Sequence, residues 1–208
     1  MVKVADLSVG KEITTRLGPI TRAEIKVYGK GSKDTNAIHM NDAAAVLAKL
    51  KGVIQHGMLS YAHVMVYVDE WLQDTGKMRS IASEMRGMVR PGDWLEINFK
   101  VTSIEGNIVK MDFEEYSITP IHVKKDDEKV LIFEAEEREW VTEKDIKRDT
   151  VKEKEITEPM KYLKVEWDEI GFPEGKYTES IEEYSGSGTL KYRYRLAILG
   201  SIEIELDE

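Results

Sequence analysis

The chain has 208 residues, 39 acidic against 30 basic side chains, a formal net charge of -9 and no cysteine. That length suits one ordinary core, or one domain with an appendage. The acidic balance argues against nucleic acid, whose phosphates demand a basic surface, and the missing thiol removes disulfides, thiolate nucleophiles and cysteine-ligated metals.

No uninterrupted apolar run is long enough to span a bilayer, and the first residues lack the apolar core of a signal peptide. A soluble cytoplasmic protein with no membrane partner is expected. Thr21 and Glu24 form a capping box, which predicts a short helix over 24–28 ending near Gly29 or Gly31. A loop carrying Asp34 and His39 follows. Asn41 or Asp42 then caps an alanine-rich helix over 43–50, closed by Gly52. Residues 57–73 are the most apolar long segment. Met58, Met65, Val66, Val68 and Leu72 cover more than one helical stripe, which predicts a helix buried on most sides.

From residue 81 the period changes to two. Strands are expected over 81–89, 94–104, 108–119 and 130–141, with a turn at Pro91-Gly92-Asp93 and a hairpin connection at Glu105-Gly106-Asn107. One buried helix followed by an antiparallel meander is an α+β pattern in which a curved sheet wraps a helix. Residues 142–158 are a charge run of mixed sign and read as a solvated helix or linker. Residues 159–208 form a β-rich C-terminal extension. Its segments 189–199 and 202–206 alternate strongly; a two-residue loop at Gly200-Ser201 would set Glu203 opposite Ile198, whereas a three-residue connection there pairs Ile198 with Ile202 and Leu196 with Ile204 and sorts the faces best. The row Lys191, Arg193, Arg195 reads as the solvated face of an edge strand, or alternatively as a contact for coenzyme A phosphates. The chain therefore divides into a domain over 1–141, a charged linker or helix over 142–158 and an extension over 159–208.

Two places carry chemistry. Asp34 and His39 put a carboxyl and an imidazole within one loop, and such a pair can manage one water, one group taking its proton while the other gives a proton elsewhere. The same spacing also suits a turn at Asp34 and a helix cap at His39. Gly57 opens the long helix, so its N–H is free at the positive end of the macrodipole and no Cβ shields it. That is an oxyanion site for a carbonyl gaining enolate character, or simply a tight entry turn. His39, His56 and His63 raise the question of a metal, but no carboxylate sits at ligand spacing on the long helix, and none is expected.

Taken in order, these pieces resemble the MaoC-like, (R)-specific enoyl-thioester hydratase/dehydratase family of the hot-dog superfamily. The matching segments are Pro19 to Ile25 at the helix start, Asp34-Thr-Asn36-Ala-Ile38-His39 as the hydratase motif, Gln55-His56-Gly57-Met58-Leu59-Ser60 at the central helix, and the Pro91-Gly92-Asp93 turn. They cover residues 10–141. Ala37 stands where the family usually has Pro, and Lys33 where it has a small residue. The resemblance implies a hot-dog fold with an antiparallel sheet around a long central helix. It also implies a homodimer, or a heterodimer with another hot-dog chain, and an acyl thioester of coenzyme A or acyl carrier protein as substrate, without a cofactor. By the same resemblance Asp34 and His39 hold the catalytic water, Gly57 N–H binds the thioester oxygen, Asn36 braces the loop, Ser60 helps position the pair, and His56 joins the substrate-binding set. A non-catalytic subunit that binds acyl thioesters or scaffolds a partner, and an acyl-CoA thioesterase, are the alternatives.

Overall fold

Alternating apolar positions on three long strands meet one face of a helix, and the core forms there. The computed structural model describes residues 2–207. After a 3-10 turn at Val4–Asp6 come β1 (Glu12–Leu17), α1 (Arg22–Ser32), α2 (Ala37–Met40), α3 (Asp42–Leu47), α4 (Gly57–Leu72), β2 (Gly76–Met85), β3 (Trp94–Glu105) and β4 (Ile108–Lys125). The chain continues through β5 (Glu128–Ile132), α5 (Glu134–Glu137), α6 (Glu143–Lys147), β6 (Val151–Glu155), β7 (Met160–Trp167) and β8 (Tyr177–Tyr184) to β9 (Thr189–Leu206). The main sheet runs β1-β3-β4-β9-β2, with β5 added to β4 and β6 to β9, while β7 and β8 pair separately. All pairings are antiparallel.

Ile97, Phe99 and Val101 of β3, Val109, Met111 and Phe113 of β4, and Ile198, Ile202 and Ile204 of β9 pack with Val64, Val68 and Leu72 of α4. This is the expected hot-dog arrangement, a sheet curled around a helix. Each such side chain removed from water contributes about 1.5–3 kcal/mol. The helix itself departs from the expected all-round burial. Only the stripe Ser60, Val64, Val68, Leu72 is fully buried, and Met58, Met65 and Val66 remain exposed. The sheet covers one side of α4, and among the described residues nothing comparable covers Met58, Met65 and Val66 on the other.

The extension behaves differently from its sequence reading. No hairpin forms at Gly200-Ser201, because β9 is one continuous strand. Ile198, Gly200, Ile202, Ile204 and Leu206 share one parity, so the alternation passes unbroken through the glycine. Ile202 pairs with Ile81 and Met111 rather than with Ile198. A Cβ on Gly200 would strike the Phe113 ring and the Ala82 carbonyl, so the glycine is where neighbouring strands come closest. With β4 on one side and β2 and β6 on the other, β9 is central, and the main sheet is incomplete at residue 141. Arg193 is accordingly buried, donating to Thr119 Oγ1 at 2.8 Å and the Trp140 carbonyl at 3.3 Å, and does not lie on a solvated edge face. The charge run 142–158 becomes α6 and then β6.

The strand expected over 130–141 stops at Ile132 because Glu134 turns inward to Arg22. That guanidinium is fully buried. It donates to Asp42 Oδ2 at 3.0 Å, Glu134 Oε1 at 2.8 Å and Glu179 Oε1 at 3.3 Å, and lies 5.2 Å from the Tyr177 ring centre. Burial disfavours its charge, but Glu134 and Asp42 more than offset this and raise its pKa above the ordinary value. Removing one partner of a buried ion cluster strands the others. Arg22→Met should therefore lower the unfolding free energy by about 3–5 kcal/mol, read from denaturant titration.

Candidate active site

The loop that bears Asp34 and His39 is shaped by short polar side chains bonding their own backbone. α1 closes at Lys33, whose φ of 63° turns the chain left-handed. Ser32 Oγ then accepts from the Asp34 amide, Asp34 Oδ1 from the Asn36 amide, and Asn36 Oδ1 from the Ile38 amide, each at 3.3 Å. Asn36 is thus the N-cap of α2, whose single turn presents His39. Ala37 occupies the first helical position of α2, where a proline ring would fit without loss of a hydrogen bond.

Two imidazoles are fixed by backbone carbonyls. His39 Nδ1 lies 2.8 Å from the Ile54 oxygen, and His56 Nε2 lies 2.8 Å from the Asp34 oxygen. A carbonyl only accepts, so each of these nitrogens carries the proton, and His39 Nε2 and His56 Nδ1 present lone pairs. The rings stack with centres 4.0 Å apart at 27°. Burial lowers the His39 pKa first; the Ile54 carbonyl raises it, nearby His56 lowers it further and Asp34 raises it, with the net direction downward. His39 is therefore a neutral base at neutral pH. The Asp34 side chain is exposed at the mouth of the site, whereas His56 is buried. α1 packs tightly here: a Cβ on Gly29 would lie 2.7 Å from Met40 Sδ and 3.1 Å from His56 Cε1.

Asp34, His39 and His56 each offer one donor atom, all within 4.8 Å of one another. With Nδ1 of His39 and Nε2 of His56 turned to carbonyls, each ring has one nitrogen left for a small molecule. The cluster thus suits a small hydrogen-bonding molecule such as water.

Gly57 begins α4 directly after His56, and no side chain caps that helix. The Leu59 amide already donates to the His56 carbonyl at 3.0 Å, which leaves the Gly57 and Met58 amides at the head of the helix for an external acceptor. A Cβ at Gly57 would collide with the thioether of Met85, a flexible and half-exposed cover. His56 joins the two parts of the site, since its backbone leads into Gly57 and its ring holds the Asp34 carbonyl.

Ser60 departs from its expected role. It is buried and its Oγ accepts from Gln55 Nε2 at 2.6 Å, so it faces the sheet and does not bond the Asp34–His39 pair. His63, a turn further on, is shifted downward by burial, with Glu24 partly opposing. Sequence reasoning missed Glu115 of β4, a fully buried carboxyl opposite Ser60. The signal was its parity, because Val109, Met111, Phe113 and Glu115 fall on the same inward face.

A family model described as a MaoC like domain matches residues 6–121. The fatty acid synthase subunit beta of Aspergillus oryzae is 35% identical over 113 residues, covering 53% of this chain and 5% of that protein. The corresponding subunit of Saccharomyces cerevisiae is 30% identical over 117 residues, covering 55% and 5%. The chain thus spans about a twentieth of the length of these curated relatives. Among solved structures, the unliganded R-hydratase PhaJ1 from Pseudomonas aeruginosa superimposes with a TM-score of 0.57 at 16% identity, over 98% of this chain and 84% of that one. An (R)-hydratase from A. caviae does so with a TM-score of 0.55 at 13% identity, over 96% and 97%. Those structures share the fold, and the family model spans more than half of the residues here, from the first strand through the loop of Asp34 and His39 to β4: the chain belongs to the MaoC-like domain family.

Proposed function

We propose that this chain adds water across the double bond of a trans-2-enoyl thioester, giving an (R)-3-hydroxyacyl thioester, or runs the reverse dehydration. The observation that carries this reading is the tie made by His56 between an acid–imidazole pair and an uncapped glycine amide. Hydration needs both, because adding water to Cβ builds charge on the thioester oxygen while protons move at the other end. His39 Nε2 takes one proton from the water, the water oxygen bonds to Cβ, and the π electrons pass to the thioester oxygen held at Gly57 N–H. The enolate then collapses as the proton taken up by His39 passes through Asp34 to Cα, so that one water is added and both side chains regain their starting states. Coenzyme A or an acyl carrier protein supplies the thiol part of the substrate, and no resident cofactor enters the balance.

The exposed apolar residues of α4 support a second feature, pairing with another hot-dog chain, identical or not, over Met58, Met65 and Val66. Among the described residues no helix is long and apolar enough to cross a membrane. The same surface favours the competing reading of a non-catalytic subunit, and turnover by the purified chain alone separates the two. Release of free thiol from acyl-CoA without hydration would instead indicate a thioesterase.

Asp34→Asn and His39→Ala should each lower kcat on crotonyl-CoA by about 10²–10⁴-fold with the fold intact, followed by loss of the enoyl-thioester absorbance. Full activity in either variant would sink the mechanism. The base must be neutral, and its pKa is lowered, so the rate should hold as pH falls through the ordinary imidazole range and drop only below it. A pH–kcat/KM profile reads this directly. Val66→Glu should drive the chain to a monomer in sedimentation velocity.

A further inference from the structure

We propose that Glu115 is a positioning residue for this reaction: buried behind the first turn of α4 and acting through Ser60, it must stay uncharged for the Gly57 amide to stabilise the thioester oxygen. The inference rests on the hydratase reading above. Glu115 registers opposite Ile97 on β3 and Ile198 on β9, so it rises from the middle of the sheet's inner face. It is completely buried, and neither carboxyl oxygen has a hydrogen-bond partner among the described residues. The polar group that faces it is Ser60. Because Ser60 Oγ already accepts from Gln55 Nε2, its hydroxyl proton is free to point at the carboxyl. Gln55 Oε1 is buried without a partner as well.

Among the described residues no countercharge acts on it. β3 and β9 bring Ile97 and Ile198. Further along β4, Ser117 is taken up by Asp93 at 2.5 Å. On α4 the imidazole of His63 has Glu24 of α1 as its charged neighbour. Burial therefore pushes the Glu115 carboxyl up to about 8, with only the Ser60 hydroxyl pulling the other way. At neutral pH the group is protonated and leaves the positive end of α4 undisturbed.

Ionisation would change that. Ser60 is three residues beyond Gly57 on one helix, about 4.5 Å along the axis. A carboxylate against Ser60 opposes the negative charge that gathers on the thioester oxygen in the transition state, in a setting too dry to screen it. The effect falls on kcat, since the substrate carbonyl carries little charge before reaction.

The test is the alkaline pH dependence of kcat on crotonyl-CoA. The wild-type chain should fall at least several-fold to a lower plateau as pH rises through about 8, with KM little changed. Glu115→Gln should lack that fall, whatever its rate at neutral pH. Ser60→Ala removes the group that favours the carboxylate and should move the fall to higher pH. An equal fall in Glu115→Gln, or an unmoved one in Ser60→Ala, overturns the proposal. A readout independent of turnover is the melting temperature. The folded pKa is raised, so this carboxyl's contribution is full below its unfolded value of about 4.3 and is lost as pH climbs towards the folded one. The wild-type Tm minus that of Glu115→Gln should decline across that window, and a flat difference overturns the proposal. A flat difference with normal hydration sinks this inference alone. A wild-type chain that hydrates nothing sinks the function on which it rests.

Discussion

One guanidinium organises the functional half of the molecule. Arg22 lies out of water among carboxylates from α3, α5 and β8, and taking such a charge inside costs several kcal/mol unless its hydrogen bonds are met. Here they are met from three separate parts of the chain. The consequence is positional. α1 begins at Arg22 and α3 begins at Asp42, so the loop bearing Asp34 and His39 is strung between two elements pinned to the same charge. Asp42 Oδ1 also accepts from the Val53 amide at 3.1 Å, which extends the constraint to the segment leading into α4. Glu134 and Glu179 bring the region between β4 and β9 to the same point, so that region is part of the site's scaffold.

The site shows how little side-chain charge is needed to set proton positions. Two carbonyls, Ile54 and Asp34, choose the tautomers of two histidines. Burial then keeps His39 neutral and Glu115 protonated, the same force producing opposite shifts because it disfavours whichever form is charged. A neutral imidazole and a protonated carboxyl are therefore both kept near the start of α4, the first beside His56 and the second beside Ser60. Asp34, at the mouth, is the exposed ionisable partner in an otherwise dry arrangement.

Much of this was legible in the sequence, and the exceptions have physical causes. Local signals read correctly: the Thr21–Glu24 box caps α1, Asn41 caps α3, and the glycine at 57 starts α4. The loop motif and Gly57 lie close together because His56, local to the second, bonds the backbone of the first. Stop signals read less well, since α1 runs through Gly29 and Gly31 to Ser32 and α3 ends at Leu47 rather than Gly52; the larger failures were non-local. Gly200-Ser201 looked like a turn because glycine and serine usually make one, yet β4 and β2 offer β9 partners along both edges and hold it straight. Arg193 looked solvated because a cation at alternating positions usually is, and only the central place of β9 buries it. Glu134 left the strand pattern for a distant arginine. The exposed Met58, Met65 and Val66 belong with these, since a sequence records that residues are apolar but does not say what will cover them.

The central place of β9 governs the order in which this protein can assemble. Until that strand arrives, β2 and β4 are separate edges with unpaired amides and carbonyls, and the helix between them lacks the Ile198, Ile202 and Ile204 side of its packing. Such edges are templates for foreign strands. Closing so long an excursion before any contact rewards it makes the nucleus entropically expensive, and folding slows accordingly. The paired β7 and β8, with Glu179 reaching Arg22, shorten that search by anchoring the excursion midway, so the chain need only close two smaller loops in succession.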